Sequence, residues 1–213
     1  MEKNENASHL FGQESAMVGT FLRIDVPVLA FIDKYVLYTD VDVFFRKDVK
    51  LSDFGRRLPR YYTVGTESHG ELIKNGADQY SGNAGVMLIN VPAMRQTYDD
   101  FVSFIFSKEN VQRGFVFGDM GPGDQGAYND FYQGLFEVKA WPRFNWKPYW
   151  DFREEAQIIH FHGPKPHQYA EWVRDGKSLD LFQLLFAKCD FKNPYNGCVR
   201  FNAEVSRVQT SFF

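Results

Sequence analysis

An apolar segment that ends in two carboxylates, from Tyr35 to Phe45, constrains this chain most. It begins Tyr-Val-Leu-Tyr-Thr, and such a β-rich run predicts a strand buried on both faces, as in a parallel sheet. Asp40 and Asp42 follow where that strand would end. Ligands of open α/β sheets bind outside the carboxyl ends of strands, and a buried carboxylate is costly unless it is paired or bound to a metal. The segment predicts a site for a divalent cation and a phosphate-bearing ligand; the alternative is an ordinary acidic turn.

The composition is typical of one globular domain. The sequence has 213 residues, 44% hydrophobic and 24% charged, which is enough to bury a substantial core. We interpret 1–213 as a single domain with peripheral segments at 1–17 and 190–213. The net charge of −3 gives no basic footprint for nucleic acid. The aromatic content of 17% indicates either an aromatic core or a cleft with stacking walls for sugar or base ligands.

The sequence also allows a prediction of the cellular compartment. No apolar run approaches the ~20 residues of a membrane span, and the polar start lacks the apolar core of a signal peptide. We therefore expect a cytoplasmic protein without a membrane span. Cys189 and Cys198 could form a disulfide or stay free, and free thiols are the favoured interpretation because the chain is no small disulfide scaffold.

Helical and β patterns alternate along the rest of the chain, which predicts an α/β fold with a central mixed sheet flanked by helices. Thr20 to Ile32 predict a helix that Pro27 ends or kinks. Further strands are predicted at 61–66, 83–90, 135–140 and 157–162, and further helices at 98–106, 126–132 and 178–188.

Polar and small residues between these elements are candidate contacts. Asn83 to Gly85 enter an apolar run through small side chains that let a ligand approach the backbone. Asp124 and Gln125 follow a glycine-rich turn, although Asp124 could equally be a helix N-cap. Arg23 would be an isolated cation on a mostly buried element, or else a solvated or salt-bridged surface arginine. Residues 67–82 are polar and glycine-bearing, as loops that carry binding sites often are.

A second informative segment runs from Gln157 to His167. His160 and His162 have the same parity, so they would share one face of the predicted strand. Gly163 and Lys165 follow directly. Imidazole is a metal ligand and lysine is a point charge for phosphate. A lone histidine is more often structural, but this combination at a strand end indicates a metal and phosphate site.

In their order these motifs resemble one enzyme family. Tyr-x-Asp-x-Asp-Val, Asn-Ala-Gly-Val-x-Leu-Ile-Asn, Asp-Gln-x-x-x-Asn and His-Phe-x-Gly-x-Lys-Pro occur between about Thr20 and His167, and Arg23 lies 17 residues before Asp40, as in the family. The chain is similar to the retaining glycosyltransferases of the glycogenin and bacterial lipopolysaccharide galactosyltransferase family, which have the GT-A fold, an abbreviated Rossmann-like domain. In its compactness it resembles the glycosyltransferase domain that large chlorella viruses encode for capsid glycosylation.

The resemblance implies a role for each matching residue. Asp40 and Asp42, with His160 as third ligand, would hold Mn²⁺ or Mg²⁺. The implied catalytic residues are Asp124, Gln125 and Lys165. The implied donor-binding residues are Arg23, Thr39, Asp40, Asp78, Asn83, Ala84, Gly85, His162 and Gly163.

The resemblance further implies transfer of a hexosyl group from a UDP-sugar donor to a hydroxyl of a glycan or glycoprotein acceptor, with retention. Two departures from the family matter. Only 39 residues precede Asp40, which predicts an abbreviated base pocket. The segment after His160 is one residue shorter than the family motif and ends in His167, so His162 could replace His160 as the ligand. The alternative function is a non-catalytic module that binds a nucleotide sugar or a glycan.

Overall fold

The computed structural model describes residues 21–66, 82–139, 143–162, 165, 174, 189 and 192–210. The chain divides into two units. The first comprises Met1–Tyr38 and Leu58–Lys139, and the second comprises Thr39–Arg57 and Ala140–Phe213.

The described strands and helices follow the order that the sequence patterns predict. The strands are β1 (Tyr35–Thr39), β2 (Val43–Phe45), β3 (Tyr62–Thr66), β4 (Gly82–Asn90), β5 (Glu137–Lys139) and β6 (Ile158–His160). The α-helices are α1 (Val91–Gln96), α2 (Tyr98–Ile105), α3 (Lys108–Gln112), α4 (Gly123–Phe131) and α5 (Gly197–Thr210). Short 3₁₀ helices lie at Leu22–Val28, Leu51–Phe54, Gly118–Met120 and Pro148–Trp150. The predicted helix at 178–188 lies outside the described residues.

A mixed sheet is the centre of the first unit. Its described strands lie in the order β1, β4, β3 and β5. β3 pairs antiparallel with β4 and parallel with β5, so the sheet combines both kinds of pairing. The prediction of a mixed central sheet is therefore confirmed.

The most buried strand of this sheet is β4, not β1. All nine residues of β4 are buried, whereas every residue of β1 is half-buried. The prediction that Tyr35–Thr39 is covered on both faces is wrong, because β1 lies at the end of the described sheet and pairs there with β4 alone. The apolar run is also shorter than its hydrophobicity suggests: it turns at Asp40 to Asp42 and resumes as β2 in a different sheet.

Aromatic side chains fill the core of the first unit. The ring of Phe101 on α2 lies 4.8 Å from that of Tyr128 and 5.1 Å from that of Tyr132, both on or next to α4. Tyr62 on β3 meets the same two tyrosines edge-on at 5.5 and 5.4 Å. All four residues are buried. Edge-to-face packing at such distances adds to the burial of apolar surface, so in this unit the high aromatic content serves the core.

The predicted N-terminal helix is shorter and tighter than the sequence pattern indicates. Leu22–Val28 form a 3₁₀ helix with Pro27 inside it, and Leu29 beyond it is extended. Proline has no N–H to donate, so an α-helical ladder cannot continue through Pro27. Arg95 on α1 donates to the carbonyls of Pro27 and Leu29, at 2.7 and 3.1 Å, and so fixes the end of this segment.

The second unit is built on the antiparallel pair of β2 and β6. Val43 lies opposite His160 and Phe45 opposite Ile158. The sequence gives residues after 190 no readable role, but α5 packs the fully buried Phe201 into a cluster with Trp146, Ala156, Ile159 and Phe161. Arg46, just after β2, also contacts α5 through two bonds to the Glu204 carboxylate, at 2.6 and 3.0 Å.

Cys189 and Cys198 form a disulfide, so the prediction of free thiols is wrong. Both cysteines are buried, and their Cα atoms lie 5.8 Å apart, within the range that a disulfide spans. The sequence gives only their spacing, whereas the bond depends on the fold bringing Cys189 back to the start of α5. Among the described helices, none is long and apolar enough to cross a membrane.

Candidate functional site

Asp40, Asp42 and His160 come together in the second unit, and we call them the carboxylate–histidine group. The two aspartates lie in the turn between β1 and β2, and His160 ends β6. The backbone holds the two segments side by side, because Val43 pairs with His160 and the Phe161 N–H donates to the Asp42 carbonyl at 2.9 Å. The β2–β6 pairing therefore sets the position of all three side chains.

The group has the dimensions of a metal site. His160 Nε2 lies 3.3 Å from Asp42 Oδ1 and 4.0 Å from Asp40 Oδ2. One ligand atom from each residue lies within 4.8 Å of the others. His160 is buried, and both aspartates are half-buried. Three such atoms can reach one cation at ~2.0–2.2 Å.

Asn145 orients the histidine ring. His160 Nδ1 lies 2.6 Å from Asn145 Oδ1. An amide oxygen only accepts hydrogen bonds, so this contact suits the ring tautomer that is protonated at Nδ1. The sequence analysis missed Asn145, which lies in an aromatic loop and carries no signal that distinguishes it from an ordinary loop asparagine.

Lys165 supplies the positive charge beside this group. Its ammonium pairs with Asp42 Oδ2 and donates to the Phe161 carbonyl at 2.9 Å. Asp42 is therefore a carboxylate at neutral pH.

One oxygen of that carboxylate is unsatisfied. Asp42 Oδ1 is buried and has no hydrogen-bond partner among the described residues. It lies 3.3 Å from His160 Nε2, which cannot donate to it in the tautomer that is protonated at Nδ1. Two acceptors at this distance are unfavourable unless a cation lies near both. Two carboxylates and one imidazole suit a divalent cation such as Mn²⁺, so the residues present fit the implied metal.

His162 is set apart from the carboxylate–histidine group. Its Nδ1 lies 3.3 Å from the Tyr149 hydroxyl, and its ring centroid is 5.4 Å from that of His160. The group of described residues with converging ligand atoms contains His160 and not His162. Of the two alternatives left open by the sequence, the geometry favours His160. Gly163 and Asp78 lie outside the described residues.

A second group of predicted residues comes together in the first unit: Arg23, Asn83, Ala84, Asp124 and Gln125, which we call the arginine–amide group. The Arg23 guanidinium pairs with the Asp124 carboxylate and donates to the Ala84 carbonyl. It also lies 4.9 Å from the centroid of the Tyr38 ring. Arg23 is only 7% exposed and is ion-paired, so it is neither a surface arginine nor an isolated cation, although the salt bridge named in the alternative is present.

Gln125 joins α4 to the start of β4. Its Oε1 accepts from Asn83 Nδ2 and from the Ala84 N–H, each at 3.1 Å. The Gly85 N–H in turn donates to Asn83 Oδ1 at 3.2 Å. Asp124 does not act as an N-cap, since α4 begins at Gly123 without a side-chain cap.

Asn129 makes the second link between α4 and β4. Its side-chain amide bonds both backbone groups of Gly82, with Gly82 N–H donating at 3.2 Å and Gly82 C=O accepting at 3.0 Å. Asn129 is buried and was given no role from the sequence, although the motif Asp-Gln-x-x-x-Asn contains it. Thr39, the remaining predicted contact, ends β1 and is half-buried directly before Asp40.

Comparison with protein-family models and with curated protein sequences gives no match. Among solved structures, the galactosyltransferase LgtC in complex with donor and acceptor sugar analogs is similar, with a TM-score of 0.50 and 19% identity over 78% of this chain and 70% of LgtC.

Two further glycosyltransferases are similar. The apo form of GlyE from Streptococcus pneumoniae TIGR4 has a TM-score of 0.52 and 19% identity over 79% of this chain and 42% of GlyE. The bifunctional WbbM has a TM-score of 0.50 and 14% identity over 79% of this chain and 37% of WbbM. This chain has the GT-A fold. The predicted fold class is confirmed, whereas membership of the glycogenin family and the resemblance to the chlorella-virus domain stay predictions. The chain spans less than half of GlyE and of WbbM.

Proposed function

We propose that this chain is a metal-dependent glycosyltransferase that moves a hexosyl group from a UDP-sugar to a hydroxyl of a glycan or glycoprotein, with retention of configuration. The observation that carries the proposal is the carboxylate–histidine group, in which a buried Asp42 oxygen without a hydrogen bond among the described residues lies 3.3 Å from His160 Nε2. The GT-A fold supports the same conclusion, because the similar solved structures are glycosyltransferases.

Asp40, Asp42 and His160 would hold Mn²⁺ or Mg²⁺. A cation bound there supplies Lewis-acid chemistry, in that it neutralises the negative charge of a nucleotide diphosphate. The protein contributes the arrangement of the ligands, which the β2–β6 pairing fixes before any donor binds. Fixed ligands of this kind need little rearrangement during the reaction.

Lys165 would stabilise the leaving group. When the bond between the sugar and the diphosphate breaks, negative charge grows on the diphosphate oxygen. The Lys165 ammonium is held beside Asp42 by two contacts, and it remains about one-third exposed, so it can meet a ligand. A fixed charge that acts where new charge develops lowers the barrier more than it tightens ground-state binding.

The arginine–amide group would hold the transferred sugar. Arg23, Asn83 and Gln125 carry the polar groups, while Ala84 and Gly85 leave the backbone accessible to a close ligand. We assign Asp124 and Gln125 to the reacting face of the sugar, as the sequence resemblance implies. Retention would follow from attack by the acceptor on the face that the diphosphate leaves.

Release of UDP tests the proposal. The chain would be incubated with a panel of UDP-hexoses and Mn²⁺, with and without excess chelator, and UDP would be measured. We expect release that requires Mn²⁺ and that Asp42→Asn abolishes. Asp48→Asn is the matched control, since Asp48 is an exposed aspartate of the same unit outside the group.

The alternative function is a non-catalytic module that binds a nucleotide sugar or a glycan. Donor binding that depends on Mn²⁺ but produces no UDP with any donor or acceptor would favour it. The role in viral capsid glycosylation that the sequence resemblance implies stays a prediction.

A further inference from the structure

Asn145 occupies a backbone conformation that few side chains accept. Its φ is 66°, in the left-handed region, and the residue is 1% exposed. Asparagine, aspartate and glycine are the residues that adopt this region at low cost. Of these three, glycine would satisfy the backbone but offer no side-chain acceptor. The backbone alone therefore does not account for asparagine at this position.

Asn145 is held rigidly beside β6. The next residue, Trp146, bridges to that strand, where its N–H donates to Ile158 C=O at 3.1 Å and its carbonyl accepts from His160 N–H at 2.8 Å. The Trp146 ring is buried, and its Nε1 donates to the Asp151 carbonyl at 2.8 Å. The Asn145 side chain consequently meets His160 across a short, fixed distance.

We propose that Asn145 is a positioning residue that fixes His160 in the tautomer protonated at Nδ1, and so keeps the Nε2 lone pair directed at Asp40 and Asp42. The inference rests on the proposed function, because a directed lone pair matters only if the group binds a cation. Asn145 itself touches neither the cation nor the sugar donor in this proposal.

The physical reason is a choice between two tautomers. Neutral imidazole carries one proton, and burial of His160 makes an unpartnered ring N–H costly. With Asn145 Oδ1 at 2.6 Å, a proton on Nδ1 is satisfied. Without that acceptor the tautomer protonated at Nε2 becomes the more stable one, because the carboxylates accept a hydrogen bond from Nε2–H. A proton at that position would block a cation. Outer partners of metal-binding histidines act in this way in many sites.

Two variants separate this role from a structural one. Asn145→Gly keeps the left-handed backbone and removes the acceptor, whereas Asn145→Asp keeps both the backbone preference and an acceptor. Mn²⁺ titration followed by electron paramagnetic resonance should give about 10- to 100-fold weaker binding for Asn145→Gly and binding of wild-type strength for Asn145→Asp. Asp151→Gly controls for glycine at a positive φ, here 123°, and should leave Mn²⁺ affinity unchanged.

The tautomer can be read without metal. Long-range ¹H–¹⁵N correlation spectra of histidine side chains should show His160 protonated at Nδ1 in the wild type and in Asn145→Asp, and at Nε2 in Asn145→Gly. Equal Mn²⁺ affinity and equal tautomers in all three proteins would overturn the inference. If Asn145→Gly fails to fold, the wild-type spectrum still decides, because a proton on Nε2 there contradicts the proposal.

The two readouts distinguish the inference from the proposed function. A wild-type chain that binds no Mn²⁺ overturns the metal-dependent function, while a tautomer that changes in Asn145→Gly still supports the role of Asn145. Tight Mn²⁺ binding that persists in Asn145→Gly supports the metal site and removes Asn145 from it.

Discussion

The arginine–amide group of the first unit and the carboxylate–histidine group of the second unit are both polar, but they differ in how their charges are balanced. In the first, the buried Arg23 guanidinium is paired with the buried Asp124 carboxylate, and Gln125 joins the strand to the helix. In the second, the carboxylates of the half-buried Asp40 and Asp42 lie beside the single ammonium of Lys165, so negative charge exceeds positive charge among these residues.

The two groups illustrate two different uses of buried polar side chains. A balanced network such as the arginine–amide group is a scaffold: it is costly to break, and it holds its atoms in one place. An unbalanced one such as the carboxylate–histidine group can be completed by a ligand of the opposite charge. Substitutions in the first group should therefore reduce stability as well as the proposed sugar binding, whereas substitutions in the second should reduce mainly metal-dependent activity.

The largest effect should come from Asp42→Asn. The amide lacks the charge that a divalent cation requires, and a catalytic metal supplies several kcal/mol, so turnover should fall roughly 10⁴-fold. Asp40→Asn should lose less, because Asp42 lies closer to His160. UDP release and Mn²⁺ titration of both variants measure this. Full wild-type activity in excess chelator would contradict the metal assignment.

Arg23→Met should lower the free energy of unfolding by about 3–5 kcal/mol, because it leaves the Asp124 carboxylate buried without its ion-pair partner. Denaturant unfolding measures the loss. The double variant Arg23→Met with Asp124→Leu removes both charges and should recover much of that stability. A single variant as stable as the wild type would show that the pair is no scaffold.

Lys165→Ala should lower kcat more than donor affinity, because the lysine charge gains importance as the diphosphate leaves. Loss of one fixed charge costs about 2–4 kcal/mol in an enclosed site, and partial exposure of Lys165 places the effect at the lower end. Lys165→Arg should recover only part, since its planar fork does not reproduce a point charge. If steady-state kinetics of Lys165→Ala give the wild-type kcat and KM, Lys165 is instead a solvated lysine outside the site.

The smallest expected effect is a loss of unfolding free energy at alkaline pH, caused by ionisation of Tyr132 in the first unit. Burial raises the pKa of Tyr132 to about 12, so the unfolded chain ionises at lower pH than the folded one. The stability due to neutral Tyr132 is complete below pH 10 and declines as pH rises through about 12. Between pH 8 and 11 the wild type should lose roughly 1–2 kcal/mol more unfolding free energy than Tyr132→Phe. Equal losses would contradict the shift.

Local patterns in the sequence predict the elements well, because a strand or helix leaves its periodicity in adjacent residues. The strands near 62–66 and 82–90 and the helix α2 follow from this signal. Strand β1 shows the limit of these local patterns, since an apolar run does not reveal whether a strand lies at the centre or at the end of a sheet. The 3₁₀ helix at Leu22–Val28 shows another, because Pro27 limits a helix without specifying its type.

The candidate site, too, could be predicted from the sequence only in part. Asp40, Asp42 and His160 were predicted together because their motifs carry charged and metal-binding side chains at strand ends. The pairing of Arg23 with Asp124 and the contact of Asn145 with His160 were not predicted, since each joins residues far apart in the chain and depends on how elements pack. The proposed donor-binding roles of the arginine–amide group stay predictions.

The disulfide between Cys189 and Cys198 bears on where this protein can mature. A crosslink over a sequence separation of 9 residues restricts the unfolded chain and contributes roughly 2–3 kcal/mol by loss of loop entropy. Such bonds persist in oxidising surroundings, whereas cytosolic thiols are kept reduced. The bond thus favours a compartment such as a secretory lumen or a periplasm over the cytoplasm expected from the sequence. A chain made in a reducing host would lack the tether at the start of α5, so recombinant material for any of these experiments is best produced under oxidising conditions.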